Sequence, residues 1–337
     1  MSTPFLSNRS LPPLALGVIG IGLLAVLLPL ALWVGAAQTS GRDLWTALTG
    51  GGDEQLRLII FQIRLPRLIL GFMVGAALAV AGVVFQALLI NPLASPFTLG
   101  ISSGAAFAAS LAIMAGLSLW MLPFLGLIGA GLTLALVLLL SRGRGGFDPR
   151  SLILAGVVVG AIFSAGISLV KSLSGESLSA IVFWIMGSLA SRGWFEAQVF
   201  LPYFVIGLAG ILFLAKDLDL LCLGGAQARS LGVDVAFERQ LLLFFASLLA
   251  AAAVSVSGVI GFVGLVVPHM LRMVSGPRHT RLCMLSALYG GILLLAADTL
   301  ARVLSRTTEI PVGVITSLLG GPFFCLLLMR RERSDET

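Results

Sequence analysis

Asp298 and Arg302 are the main ionisable pair inside the apolar stretches of this chain. Four residues apart, they share one helix face, where an acid and a base form an ion pair. Charge in a membrane segment is costly and marks an ion site, a proton relay or a structural bridge. With no second carboxylate along that segment, the pair reads as a bridge. Lys171 and Glu309 fall at the ends of apolar stretches, so neither a relay nor a channel's ring of charge can be drawn. The two histidines, His269 and His279, have no carboxylate cluster beside them, which argues against a metal centre. His269 follows Pro268 at an expected helix break and reads as a cap. Cys222, Cys283 and Cys325 are too widely spaced for a metal or redox motif. Lys171 and Lys216, the two lysines, lack the glycine-rich context of a phosphate loop, so no ATP site is expected. A metal that crosses through such a chain is expected to cross inside a chelator or macrocycle.

The residues that hold these groups are almost all apolar. The chain has 337 residues, 58% hydrophobic and 11% charged, with a mean hydropathy of +1.08. So little polar material cannot cover a soluble surface, and runs of this length exceed a barrel strand, so the spans are helices in a bilayer. We read them at 14–36, 65–89, 97–116, 119–140, 151–171, 196–215, 240–257, 259–275, 282–303 and 311–329. The apolar run 241–274 is too long for one crossing and is split at Ser255–Gly258. The first run is read as a retained helix, not a signal peptide. Pro92, Pro96, Pro268 and Pro311 are placed near helix starts or breaks. Together these readings predict an all-α, polytopic membrane protein with about ten transmembrane helices in one domain, 1–337.

The net charge of +6 reflects basic residues that set topology. With both termini in the cytoplasm, the inside segments hold the larger share, among them Arg9, Arg142, Arg144, Arg150, Arg229 and Arg330. The outside segments hold Arg42, Arg57, Arg64, Arg67, Lys171, Arg192, Arg302 and Arg306, more than topology needs. The longest inside connection, 216–239, is charged, and Gly224–Gly225 and Gly232 bracket a short helix over Ala226–Leu231 suited to docking on a soluble partner. Gly71/Gly75, Gly100/Gly104 and Gly156/Gly160, each four apart, predict close helix packing. Ala79–Phe85 with Pro92 is echoed by Ser255–Gly261 with Pro268. This suggests two inverted five-helix repeats, about 1–190 and 191–337, with a pathway at their interface.

Several runs carry a resemblance that covers nearly the whole chain in order. They are Arg64-Leu65-Pro66-Arg67, Gly75–Leu78, Gly82, Gln86, Asn91–Pro96, Leu99–Ala105, Gly258–Arg272, Ala297-Asp298 with Ala301-Arg302, Glu309–Gly313 and Gly320–Phe324. In these the chain resembles the iron-chelate and cobalamin permease family of type II ABC importers. The resemblance implies a homodimer, two cytoplasmic ATP-binding-cassette ATPases that hold the ATP and magnesium, and a periplasmic or lipid-anchored substrate-binding protein. It implies no catalytic residue, metal or cofactor in this chain. Arg64, Arg67 and Arg302 match positions that engage glutamates of the binding protein. Gly224, Ala228, Arg229, Ser230, Leu231 and Gly232 match the segment that couples to the ATPase. Gln86, Asn91, Pro92, Pro268, His269, Asp298, Glu309 and Pro311 belong to the shared structural motifs. The Phe97–Phe107 run favours a ferric siderophore as cargo, with haem or cobalamin as the alternative. The rival from another class is an ion-coupled secondary transporter. The expected location is the bacterial inner membrane.

Overall fold

The computed structural model describes residues 12–35, 40–49, 51, 53–141, 148–305 and 309–335. Arg9, Arg142, Arg144, Arg306 and residue 36 lie outside them. The helices in chain order are α1 (Pro13–Trp33), α2 (Gly41–Leu48), α3 (Glu54–Leu58), α4 (Leu65–Leu88), α5 (Ile101–Met114), α6 (Leu122–Ser141), α7 (Pro149–Leu173) and α8 (Leu178–Ile185). They continue as α9 (Trp194–Phe213), α10 (Ala215–Leu221), α11 (Gly225–Ser230), α12 (Val235–Ser257), α13 (Val263–Ser275), α14 (His279–Leu304) and α15 (Val312–Asp335). No strand occurs among the described residues, and 7 helical stretches are long and apolar enough to cross a bilayer. The chain is an all-helical, polytopic membrane protein.

Burial sorts the helices into a centre and a lipid-facing shell. Of the apolar window ending in α4, 89% is buried, against 17% for α1 and for α7. Small residues make this possible. Gly75 of α4 lies on the backbone of Gly290 in α14, where a Cβ on either would strike the other's carbonyl. Gly100 packs likewise against Gly156 and Gly160, which joins α5 to α7. Buried hydroxyls turn back on their own helices: Ser110 donates to the Ala106 carbonyl at 2.7 Å and Thr299 to that of Leu295 at 2.7 Å.

Three expectations change. Span 2 does not begin at residue 65, because helix runs unbroken from Glu54 through a π-helical stretch, Ile59–Arg64, into α4. Pro66 therefore lies inside a continuous helix, just after the π-helical stretch, and the Phe61 carbonyl five residues before it accepts from Trp194 Nε1 at 2.9 Å. The stretch between the spans 151–171 and 196–215 holds a short apolar helix, α8, whose eight residues cannot cross a bilayer. Pro268 and His269 are inside α13, not at a break; the break lies at 258–262, after α12 ends at Ser257. His269 is therefore no cap, and its ring lies 6.0 Å from that of Phe324.

Candidate functional site

Antiparallel packing of α4 on α14 sets the frame. Arg67, at the start of α4, meets Asp298 near the end of α14, while Gln86, near the end of α4, shares a cavity with His279 at the start of α14. The 24 residues of α4 separate these two ends by roughly 36 Å.

Between the ends, three interruptions of helix meet. Gly187, with φ +70°, follows the end of α8; Gly258, with φ +71°, follows that of α12; and Phe262, with φ +66°, precedes α13. The pieces are joined by backbone hydrogen bonds, from Ser188 N to Ser257 O at 2.8 Å and from Gly313 N to Gly187 O at 3.0 Å. A Cβ on Gly187 would strike the Val259 carbonyl and one on Gly313 the Met186 carbonyl, so both positions need glycine. Irregular backbone at membrane depth persists only where protein buries it or it lines a cavity. Here it lines one, a groove of about 720 Å³. Its wall carries no charge: Ile185, Val259, Phe262, Val314 and Leu318 are apolar, and the hydroxyls are those of Ser95 and Ser317. Such a wall can pass a bulky solute without gripping it. The lining side chains come from α13 and α15, from Phe97 ahead of α5, and from Ile185 of α8, a helix the sequence reading missed.

At one end lies a charge cluster. Arg67 donates from Nη2 to Asp298 Oδ1 at 2.9 Å and from Nη1 to Glu309 Oε1 at 3.2 Å. Arg302 Nε lies 3.2 Å from Asp298 Oδ2, the helix-face pair expected from the spacing. Arg302 Nη1 also donates to the carbonyls of Ala31 and Val34, at 3.0 and 2.6 Å. Arg64 Nη1 donates to those of Leu32 and Trp33, at 2.6 and 3.1 Å. The last carbonyls of α1, which have no partner within their own helix, are thus capped by two arginines. Gly35 leaves the room for the Arg64 guanidinium. The structure therefore brings Arg64, Arg67, Arg302, Asp298 and Glu309 together, but it turns the guanidiniums inward. The Asp298 side chain is 1% exposed and that of Arg67 9%, while the Glu309 side chain is 52% exposed and forms the rim.

At the other end, α10 and α11 occupy the segment expected to couple to a partner. Gly224, with φ +111°, opens α11, and Gly232, with φ +88°, follows it. Arg229, Ser230 and Leu231 are exposed. Ala228 corrects its assignment: it is fully buried, with its carbonyl accepting from Val233 N at 3.1 Å, so it holds the turn from inside and offers no surface. Leu223 and Phe237, which the motif did not mark, are 60% and 55% exposed beside it. Asp219 of α10 accepts from His279 N at 2.9 Å and contacts its Nδ1 at 2.6 Å, which pins the segment to α14.

The remaining motif residues hold the frame. Asn91 Oδ1 accepts from Leu93 N at 2.9 Å and shapes the turn that carries Pro92. Pro311 is buried immediately before α15, and its carbonyl accepts from Val314 N at 3.1 Å. Gln86 Nε2 donates to the carbonyls of Leu265 and Gly264, at 3.2 and 3.5 Å, and ties α4 to α13.

The model of the FecCD transport family matches residues 23–330 of this sequence. The cobalamin import system permease protein BtuC of Halobacterium salinarum is 41% identical, over 92% of this chain and 88% of its own. The hemin transport system permease protein HmuU of Yersinia pestis is 41% identical, over 97% of this chain and 98% of its own. Among solved structures, an inward-facing conformation of a transporter described as of metal-chelate type superposes with a TM-score of 0.85. It is 37% identical and covers 94% of this chain and 99% of that one.

Proposed function

This chain belongs to the FecCD transport family and is an ABC importer permease; from that premise we propose that it imports iron held in an organic chelate, a ferric siderophore. The observation that carries this reading is the uncharged groove at the meeting of three helix interruptions. A chelate fills the coordination sphere of its metal with its own donors, so its passage needs no ligands from the wall. The relatives named for hemin and cobalamin favour a metallated macrocycle as the second reading.

In the proposed assembly a second copy of the chain faces the groove and closes it into a path. Two cytoplasmic ATPases, which bind the ATP and magnesium, dock at Arg229–Gly232 with Leu223 and Phe237. A substrate-binding protein docks at the opposite end, where one of its carboxylates takes the place of Glu309 on Arg67. The chain itself uses no cofactor. It lies in the bacterial inner membrane with both termini cytoplasmic and about ten crossings in two inverted repeats, about 1–190 and 191–337. Helix contacts support the repeats: exchanging α4 with α12, α5 with α13 and α6 with α14 turns the contacts α4–α14 and α4–α13 into α12–α6 and α12–α5, and all four occur.

The test is uptake into sealed proteoliposomes that hold this chain and its ATPase, with the binding protein outside. Uptake of radioiron as a siderophore, dependent on internal ATP, is expected. Uptake by the chain alone, driven by a membrane potential, would replace this reading with an ion-coupled carrier.

A further inference from the structure

A second cavity, of about 490 Å³, opens at the end of the bundle away from the Arg67–Asp298 cluster. It differs from the groove in its charge. Arg239 of α12 and Arg272 of α13 line it, and no carboxylate does. His279, also on its wall, is occupied by Asp219. Arg272 takes part in none of the ion pairs among the described residues. Its Nη2 is buried without a hydrogen-bond partner. A guanidinium held partly out of water with no counter-charge is unfavourable, and an anion beside it removes that cost. The planar fork of arginine matches a phosphate or a carboxylate with two parallel hydrogen bonds, and phosphate is the anion that a membrane surface presents.

The rim points to the source of that phosphate. Leu88 and Ile90 border the cavity at the end of α4, and Ile90 is 82% exposed. An apolar edge beside a cationic floor, at the end of membrane-spanning helices, matches a phospholipid whose headgroup enters while its chains stay outside.

We propose that this cavity binds the phosphate of an anionic membrane lipid, with Arg272 and Arg239 as its ligands. Gly224 and Gly225 also form part of the wall, so a bound headgroup links the start of α11 to α4, α12 and α13. The site takes a lipid headgroup and is independent of the cargo carried.

The full-length chain, purified in detergent and stripped of lipid, is titrated with cardiolipin, phosphatidylglycerol, phosphatidylcholine and inorganic phosphate. Binding is read by native mass spectrometry and by the shift in melting temperature. Cardiolipin and phosphatidylglycerol bind and stabilise; phosphatidylcholine does not. Arg272→Gln and Arg239→Gln each weaken the anionic lipids by about tenfold, the effect of losing a charge-assisted hydrogen bond. Arg272→Lys keeps the charge, loses the fork and retains part of the affinity, which gives a readout if the glutamine variant fails to fold. Arg281→Gln, exposed and away from the cavity, binds as the wild type does. Equal binding of phosphatidylcholine, or wild-type affinity in Arg272→Gln and Arg239→Gln, overturns the proposal. Stabilisation by inorganic phosphate that the same substitutions abolish overturns the lipid as source and leaves a site for soluble phosphate. No transport partner is present in these measurements, so their outcome is separate from that of the uptake test.

Discussion

Gln86 completes a hydrogen bond that Pro268 cannot make. A residue at position 268 of α13 would ordinarily donate its N–H to the carbonyl of Gly264, four residues back, and proline has none to give. Gln86 reaches across from α4 and supplies a donor to that carbonyl and to its neighbour on Leu265. The proline and the glutamine lie in the two segments whose sequences echo each other, and here one segment repairs the other.

The first prediction follows from that repair. Gln86→Ala leaves a buried carbonyl unpaired, and it costs about 1–3 kcal/mol. In a Pro268→Ala background the helix supplies its own donor, so the same change costs much less. A double-mutant cycle on the unfolding of the detergent-solubilised chain measures the difference. Additive losses would show that the two residues act separately.

Glu309 gives the second prediction, because it is the exposed partner of an otherwise buried cluster. Glu309→Gln frees Arg67 of one competitor and is expected to tighten the docking of an acidic binding protein, most at low salt. Asp298→Asn in the buried centre is expected to cost about 3–5 kcal/mol in stability, since it removes the buried counter-charge that Arg67 and Arg302 share. Docking titrations at two ionic strengths, beside melting curves, separate the effects. Unchanged docking by Glu309→Gln would remove the rim from the interface.

A third prediction contrasts two neighbours in the short helix. Leu231→Asp alters an exposed apolar side chain and is expected to leave folding intact while ATP hydrolysis loses its response to cargo. Ala228→Leu overfills a site with no free surface and is expected to destabilise by about 1–3 kcal/mol. ATPase assays on the reconstituted complex, with thermal unfolding of each variant, read both. Normal coupling in Leu231→Asp would move the contact elsewhere on the segment.

Much of the bundle was legible because hydrophobic length is a strong signal. Each expected span is occupied by helix, and the difficult run from 241 to 274 divides where Ser255–Gly258 suggested. What escaped notice was set by tertiary packing. α8 is apolar but only eight residues long, and a segment too short to cross looks like a loop. The i,i+4 spacing of Asp298 and Arg302 revealed their ion pair, yet nothing in the sequence shows that Arg64 and Arg302 cap the end of α1. Backbone carbonyls leave no mark in a residue pattern. Surplus basic residues at one end suggested a surface for a partner; their spacing does not show that Arg64, Arg67 and Arg302 also pack against their own chain. Ala228 sat in the right segment, but a single turn of helix has an inner and an outer face that spacing alone does not distinguish.

The joint of Gly187, Ser257 and Gly313 separates what must stay fixed from what is free to vary. Main-chain bonds hold its three arms, and glycine is required where they touch, so the frame tolerates little change. Val314 and Leu318, on one turn of α15, line the groove beside that frame, while Ser317 between them donates to the Gly313 carbonyl at 2.7 Å. A lineage could retune the bore for a larger or smaller solute by altering this one turn, leaving the hub around which the helices are arranged untouched.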